Sequence, residues 1–448
     1  RKKSIKQAKK ELFYIFAVQK ADRRKMTVKA ISTNIGKALL INALFMLISI
    51  LVAVFNGMDS GFTPMVISFL VTAITGIFPF IFVKDKPSTT LHSGYLTIVF
   101  SWILSFMFGM LPYVLWGGEF TLANAWFESV SGYTTTGSTI LTDIEALPKS
   151  LLFWRSSTHF IGGLGVIVFL LMVLPDSSPF KLRLTNLELS SLSKEGYRYK
   201  SGKTARVMVS VYICLTIAET LCLWAAGMTL FDAVNHAFST VATGGFSTKN
   251  ASVMHFDSAA IDIIITVFMA LSSLHFGVLF AVVAKRSLKP LRNPISRYYI
   301  CVIAVFSIII ACSLKIQGGY QTWGKSLLDA TFQTVSFIST TGFGQADNAA
   351  WPLLANAILL FASFHCGCSG STTGGIKADR MFISLKAAYG DIQKRLHPTS
   401  LFRTKVGGRA LDEDTVSSVF LYIVLYIITL FLSFVIVLIC GLDIAEAF

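Results

Sequence analysis

The chain has 448 residues, of which 54% are hydrophobic and only 14% charged, with a mean hydropathy of +0.65. A soluble chain carries nearer a quarter charged residues, so this composition excludes a soluble globular protein and points to a polytopic membrane protein. The net charge of +15 does not signal nucleic acid, because Lys and Arg gather in the loops between apolar segments, where they set topology and face anionic lipid.

The seven Cys make no disulfide pattern, and Cys214, Cys222, Cys301, Cys312 and Cys440 lie singly in or beside apolar segments, as small hydrophobes do. No signal peptide is visible. Residues 1–34 form a basic segment expected in the cytoplasm; the chain opens on Arg1, and Met26 is a candidate start. Apolar runs of about 20 residues then predict nine membrane crossings. Ile35–Phe55 and Thr63–Val83 form a two-helix unit over 35–83. Tyr95–Trp116 and Ser156–Leu174 flank a first repeat over 95–174. Val207–Ala226 and Ala259–Val283 flank a second over 207–283, and Arg297–Leu314 and Pro352–Met381 a third over 297–381. A cytoplasmic loop over 382–415 leads to the ninth crossing, Val416–Cys440, which opens a fourth repeat over 416–448. The expected fold is therefore an all-α polytopic membrane protein with its fourth repeat truncated.

Charge sets the orientation. The loop after Val283 carries Lys285, Arg286, Lys289, Arg292 and Arg297 without an acid. The loop after Leu174 carries Lys181, Arg183, Lys194, Arg198, Lys200, Lys203 and Arg206, and the loop after the eighth crossing Lys386, Lys394, Arg395, Arg403, Lys405 and Arg409. The N-terminus is thus expected in the cytoplasm.

Each repeat places a short apolar segment and a Thr-Gly turn between its two crossings. The turns are Thr134-Thr135-Thr136-Gly137, Ala242-Thr243-Gly244 and Ser339-Thr340-Thr341-Gly342, and all three open on the extracytoplasmic side. Aligned on Thr-Gly, the preceding segments read Asn124-Ala125-Trp126-Phe127, Phe231-Asp232-Ala233-Val234 and Leu328-Asp329-Ala330-Thr331-Phe332, and Gly441–Phe448 resembles the start of the same segment. Segments too short to span must enter and return. Their C-terminal dipole ends then face the turn and favour a cation there, with backbone carbonyls replacing its water. A single Thr-Gly reads as an ordinary helix–helix loop. Three with matched flanks on one side of the membrane read as a pore.

The eighth crossing is interrupted by His365-Cys366-Gly367-Cys368-Ser369-Gly370-Ser371-Thr372-Thr373-Gly374-Gly375-Ile376-Lys377. Gly and Ser/Thr at this density do not make a stable lipid-facing helix, so an irregular loop lining the path and able to block it is expected. A phosphate-binding loop fails, because Ile376 stands where Lys must follow Gly375 and no strand precedes. A metal site at His365, Cys366 and Cys368 lacks its remaining ligands. A kinked helix packed by small residues is the plain alternative.

Other residues invite local readings. Arg155 reads as an interface anchor opening the fourth crossing, or else as a contributor to pore electrostatics. Glu219 is an intramembrane carboxylate, functional by default unless solvated near an interface. Asp232 and Asp329 read as half-helix caps, with cation attraction as a further role. His159 and His275 read as packing histidines, and Asp412-Glu413-Asp414 as a helix N-terminal charge cluster.

Thr134–Thr139, Thr243-Gly244-Gly245-Phe246-Ser247-Thr248 and Thr340-Thr341-Gly342-Phe343-Gly344 resemble the filter segments of the Trk/Ktr/HKT potassium-transporter superfamily, from about Ile35 to Phe448. The two crossings ahead of the first repeat resemble its TrkH branch more than its KtrB branch, which lacks them. The resemblance implies helix–pore–helix repeats around a pseudo-fourfold pore. It implies potassium, as substrate and the only metal, at filter residues Thr135, Thr136, Gly137, Ala242, Thr243, Gly244, Thr340, Thr341 and Gly342. It implies an intramembrane gating loop over 367–377, with Gly367, Ser369, Gly370, Ser371, Thr372, Thr373, Gly374, Gly375 and Lys377. It further implies no cofactor, a homodimer with one pore per subunit, and a cytosolic nucleotide-binding regulatory ring of the TrkA type. The fourth filter and the family's basic residue after it are expected beyond Phe448. The expected function is channel-like potassium uptake across the cytoplasmic membrane, with a sodium-permeable or sodium-coupled transporter as the alternative. A membrane-embedded enzyme or assembly factor needs polar catalytic residues converging at one depth, which Glu219 and scattered His do not supply.

Overall fold

The computed structural model describes residues 2–83, 91–172, 201–317, 319–397 and 403–443. The chain divides into two compact units, one running through the fourth crossing and the other from Val207 onward. The basic residues Lys181–Lys200 and the tail Ile444–Phe448 lie outside the described residues.

In the first unit, α1 (Lys2–Phe55) joins the basic segment and the first crossing in one helix, and α2 (Phe62–Phe82) packs against it. A Cβ on Gly36 of α1 would stand 2.7 Å from Gly76 O of α2, so the two backbones touch where both lack side chains. The third crossing is α3 (Leu91–Gly109) followed by α4 (Leu111–Trp116), where Pro112 lacks the N–H that would continue the ladder. Asn42 ties α1 to α3 by donating to Ser105 Oγ at 3.1 Å. The first half-helix, α5 (Leu122–Tyr133), precedes α6 (Lys149–Met172). That helix begins seven residues ahead of the expected Ser156, which places Arg155 inside it.

The second unit holds α7 (Ser201–Ala225), half-helix α8 (Leu230–Val241), α9 (Ala259–Ser272), α10 (Phe276–Lys285), α11 (Pro294–Gln317), half-helix α12 (Trp323–Ile338), α13 (Leu353–His365), α14 (Ala378–Leu396) and α15 (Glu413–Ile439). The second and third repeats share a core in which Val253, Ile265 and Met269 meet Phe332, Val335 and Phe343. Between α14 and α15, β1 (Lys405–Val406) and β2 (Arg409–Ala410) pair antiparallel around Gly407 and Gly408, both left-handed as a tight hairpin turn requires. Val406 is buried against Ile383 and Val419.

Among the described residues, six helices are long and apolar enough to cross a membrane, or seven with α9 and α10 counted as one span. The other two expected crossings are α6 and the split eighth. The sequence predicts a continuous helix over Ala259–Val283, but α9 and α10 are bent by 103° at Ser273–His275. The backbone groups freed there are taken up by the eighth crossing's loop: Cys368 N–H donates to Ser273 O (2.8 Å) and Phe276 N–H to Gly370 O (3.1 Å). Two broken crossings thus satisfy each other. The eighth crossing also continues well past Met381, because α14 extends to Leu396 inside the expected loop.

Candidate functional site

Each half-helix starts on a threonine whose hydroxyl accepts from the N–H three residues on: Thr121 from Asn124, Thr229 from Asp232 and Thr322 from Lys325. A 12-residue helix such as α5 or α8 covers about 18 Å, well short of a bilayer core of about 30 Å. Each ends in the same way. Thr135, Thr243 and Thr340 take left-handed φ values of 55°, 55° and 54°, which β-branched residues rarely adopt. Their N–H groups donate back to Gly132 O, Thr240 O and Phe337 O, and the next N–H groups to Ser131 O, Ser239 O and Ser336 O. Two residues after each threonine comes a left-handed glycine: Gly137 (78°), Gly245 (82°) and Gly342 (81°).

This register corrects the second turn. Alignment on Thr-Gly pairs Gly244 with Gly137 and Gly342, whereas the backbone pairs Gly245 with them and Gly244 with Thr136 and Thr341. Gly244 is buried and Gly245 partly open. A Gly-Gly pair gives the sequence two candidates for one left-handed position, and the fold takes the second, which like Gly137 and Gly342 lies thirteen residues after an Asn-Ala or Asp-Ala pair (Asn124, Asp232, Asp329).

The second and third turns touch. A Cβ on Gly245 would lie 2.1 Å from Thr341 O. Beyond the turns, Met254 N–H donates to Gly344 O (3.2 Å) and Gly344 N–H to Ser252 Oγ (3.3 Å). Asp329 is seven residues into α12 and so does not cap it; its carboxylate accepts from Gln345 Nε2 (2.9 Å) and from Tyr320 Oη (2.9 Å). Burial, then the bond to Asp329, pushes the Tyr320 phenol up to about 12, which keeps it a donor. Gln345 Nε2 also donates to Asp262 (3.0 Å), and these groups line a cavity of about 1350 Å³ that also holds Asp257, Asp347 and Lys325. Thr229 caps α8, and the Asp232 carboxylate, expected as the cap, instead takes the Thr229 hydroxyl (2.8 Å) on one oxygen and Thr248 Oγ1 (2.6 Å) on the other.

Three buried side chains missed by the sequence reading sit at one register position, seven residues before the left-handed threonine. Glu128 accepts from Thr139 Oγ1 (3.0 Å) and Ile140 N (3.3 Å). His236 Nε2 meets Ser247 Oγ (2.9 Å). Gln333, with its amide turned to satisfy its neighbours, accepts from Gln345 N (3.1 Å) and Ala346 N (3.3 Å). Arg155 is no interface anchor: it is 1% exposed and its Nε contacts Glu128 Oε1 at 2.7 Å.

The loop between α13 and α14 is mostly buried. Gly374 N–H donates to Thr340 Oγ1 (3.1 Å), and Thr372 Oγ1 to Val241 O (3.0 Å) at the end of α8. Gly367, Ser369, Ser371 and Thr373 hold the loop together. Ala378 N–H donates to Gly367 O (2.8 Å), Ser369 N–H to Asp379 (2.5 Å), and Ser371 shares a hydrogen bond with Thr373 (2.8 Å). Gly370 packs on the His275 ring, and Gly375 on Cys366 Sγ. Lys377 is left-handed and donates to Thr373 O and Oγ1, turning its ammonium back into the loop. Tyr422 Oη donates to Gly375 O (3.3 Å), and Arg380 lies 3.9 Å over the Tyr422 ring.

His275 caps α10 by accepting from Gly277 N (2.9 Å) at the bend, so it does more than pack. His365 meets Tyr298 Oη (2.9 Å) and Cys366 O (3.3 Å), and among the described residues no His/Cys/Asp/Glu group could hold a metal. The Glu219 carboxylate is fully buried, beside the Thr240 hydroxyl.

Long apolar helices around apposed left-handed turns, underlain by an irregular loop bonded to both, define a polytopic helical membrane protein. Comparison with known proteins agrees. The family model described as TrkH, cation transport protein, matches residues 60–314 and 300–448. The Trk system potassium uptake protein TrkH of Escherichia coli K12 is 34% identical over 82% of this chain and 76% of its own length. Its namesake in Halomonas elongata is 32% identical over 93% and 87%. The crystal structure of the potassium transporter TrkH from Vibrio parahaemolyticus matches with a TM-score of 0.84 and 31% identity, covering 94% of this chain and 88% of that one. The chain belongs to the TrkH cation transport protein family.

Proposed function

We propose that this chain takes up potassium across the cytoplasmic membrane through a gated path whose oxygens come from the Thr-Gly turns. The names of its relatives, Trk system potassium uptake proteins, support the substrate. Potassium is the cargo, and no resident cofactor is needed. The filter set is Thr135, Thr136 and Gly137 in repeat one, Thr243, Gly244 and Gly245 in repeat two, and Thr340, Thr341 and Gly342 in repeat three. Left-handed glycine lets the backbone aim oxygens that a side-chain-bearing residue would misdirect. Half-helix C-terminal ends behind the turns favour a cation over an anion.

One observation carries the gate: the Gly374 N–H bonded to Thr340 Oγ1. A loop attached directly beneath a filter turn occupies the space an ion leaving that turn must cross. Gly367–Lys377 therefore closes the path and opens by moving away from it. The loop runs straight into α14, whose Lys386, Lys394 and Arg395, with Arg403, Lys405 and Arg409 near the hairpin, form the docking side for a cytosolic nucleotide-binding ring of the TrkA type. The protein works as a homodimer with its N-terminus in the cytoplasm.

The test is rubidium uptake by the full-length protein in proteoliposomes. Wild type should take up rubidium in competition with potassium and not with sodium, and Gly342→Ser should let sodium compete. An unchanged preference in the variant removes the filter assignment, and sodium competition in wild type moves the reading to a sodium-permeable transporter.

A further inference from the structure

We propose that Glu128, His236 and Gln333 are positioning residues that set the ion preference of the three turns; this rests on the filter reading above. They occupy one register position, two helical turns before the left-handed threonine, so each faces the side on which the chain returns. They are 0%, 0% and 1% exposed. Each reaches across the turn to the irregular segment that follows: Glu128 to Thr139 and Ile140, His236 to Ser247, Gln333 to Gln345 and Ala346. The turn is thereby closed into a ring, with half-helix on one side, returning chain on the other and a buried polar side chain as the strut.

A second strut nearer the turn is seen in the first and third repeats. Ser131 Oγ donates to Ser138 O (2.6 Å) and Ser336 Oγ to Phe343 O (2.8 Å), again at equal offsets. The struts differ in chemistry. Repeat one uses a carboxylate held by Arg155 at 2.7 Å, repeat two an imidazole, repeat three a neutral amide. A site discriminates between ions of equal charge only while its oxygens keep their spacing, and that spacing is held by the groups behind them. Loosening a strut should therefore lower selectivity before it lowers flux. A residue needed only for folding would instead lower the amount of protein and leave selectivity intact.

The experiment measures the potassium-over-sodium preference and the rubidium flux per folded molecule for the full-length protein in proteoliposomes. Gln333→Leu removes the accepting oxygen, and Gln333→Glu keeps it. Glu128→Leu, which removes the accepting oxygens, is made together with Arg155→Met, so that no buried guanidinium is orphaned. Glu119→Gln, which loosens the exposed Glu119–Thr142 tether (2.7 Å) outside the turn, is the control. Gln333→Leu and the Glu128/Arg155 pair should each lower the preference about tenfold, the equivalent of one lost buried hydrogen bond, with flux within about threefold of wild type. Gln333→Glu should recover most of the preference, and Glu119→Gln should leave it unchanged. Gly342→Ser separates the two claims. If it shifts the preference and the strut variants do not, the strut proposal is overturned and the filter reading stands. If it does not shift the preference, the filter reading falls and the struts fall with it. Strut variants that lose folded protein at unchanged preference also overturn the proposal.

Discussion

Gly245→Ala is the substitution for which the structure gives the sharpest expectation. Gly245 has φ +82°, and a Cβ there would stand 2.1 Å from Thr341 O, a backbone atom of the neighbouring turn. That carbonyl must retreat by about 0.9 Å before the contact reaches even 3.0 Å, below which real Cβ atoms are essentially never found. Left-handed backbone at an alanine costs about 1–2 kcal/mol, and overpacking adds about 1–3 kcal/mol. Together these are on the order of 3 kcal/mol, or about a hundredfold fewer molecules holding the observed turn. Gly342→Ala is the comparison: φ is +81°, but nothing lies within 4 Å of the added methyl, so only the backbone cost of about tenfold remains. Gly244→Ala meets no left-handed backbone and should be milder than Gly245→Ala. The assay is rubidium flux per folded molecule in proteoliposomes. Equal losses for Gly245→Ala and Gly342→Ala, or a larger loss for Gly244→Ala, would refute the register and the contact between turns.

Three further expectations concern the loop, the partner and the helix pair. Thr372→Val removes the loop's bond to Val241 O, and deletion within Gly370–Gly375 removes more. Both should raise basal flux severalfold and make it less dependent on the cytosolic partner, whereas flux that falls in step with folded protein would mark the loop as packing only. Charge reversal at Arg395, Arg403 and Lys405 should weaken co-purification of a nucleotide-binding ring without altering membrane insertion; equal recovery would leave these residues to topology alone. Gly36→Val forces α1 off Gly76 O and should destabilise the protein by about 1–3 kcal/mol, read as a lower melting temperature in detergent, and an unchanged midpoint would show that the close approach is dispensable.

The spans and the turns were legible because their signals are local: apolar length for the helices, Thr-Gly punctuation for the turns, Gly and Ser/Thr density for the broken eighth crossing. The break at Ser273–His275 was not, because that segment stays apolar and the cause of the bend is the distant loop that takes its backbone hydrogen bonds. Arg155 and Glu128 each look ordinary in sequence, and only folding brings them to 2.7 Å. The strut position was hidden because Glu, His and Gln share no residue type, although their equal distance from the threonine was a usable signal. Asp329 was misread as a cap because α12 begins about a turn earlier, relative to its turn, than α5 and α8 do.

The most direct test of the central claim, a potassium-selective path through these turns, is the reversal potential of the full-length protein in planar bilayers with potassium on one side and sodium on the other. The account predicts a potential near the potassium equilibrium value for wild type, moving toward zero for Gly342→Ser and for Gly245→Ser. A potential near zero in wild type, or one that neither variant moves, would contradict it.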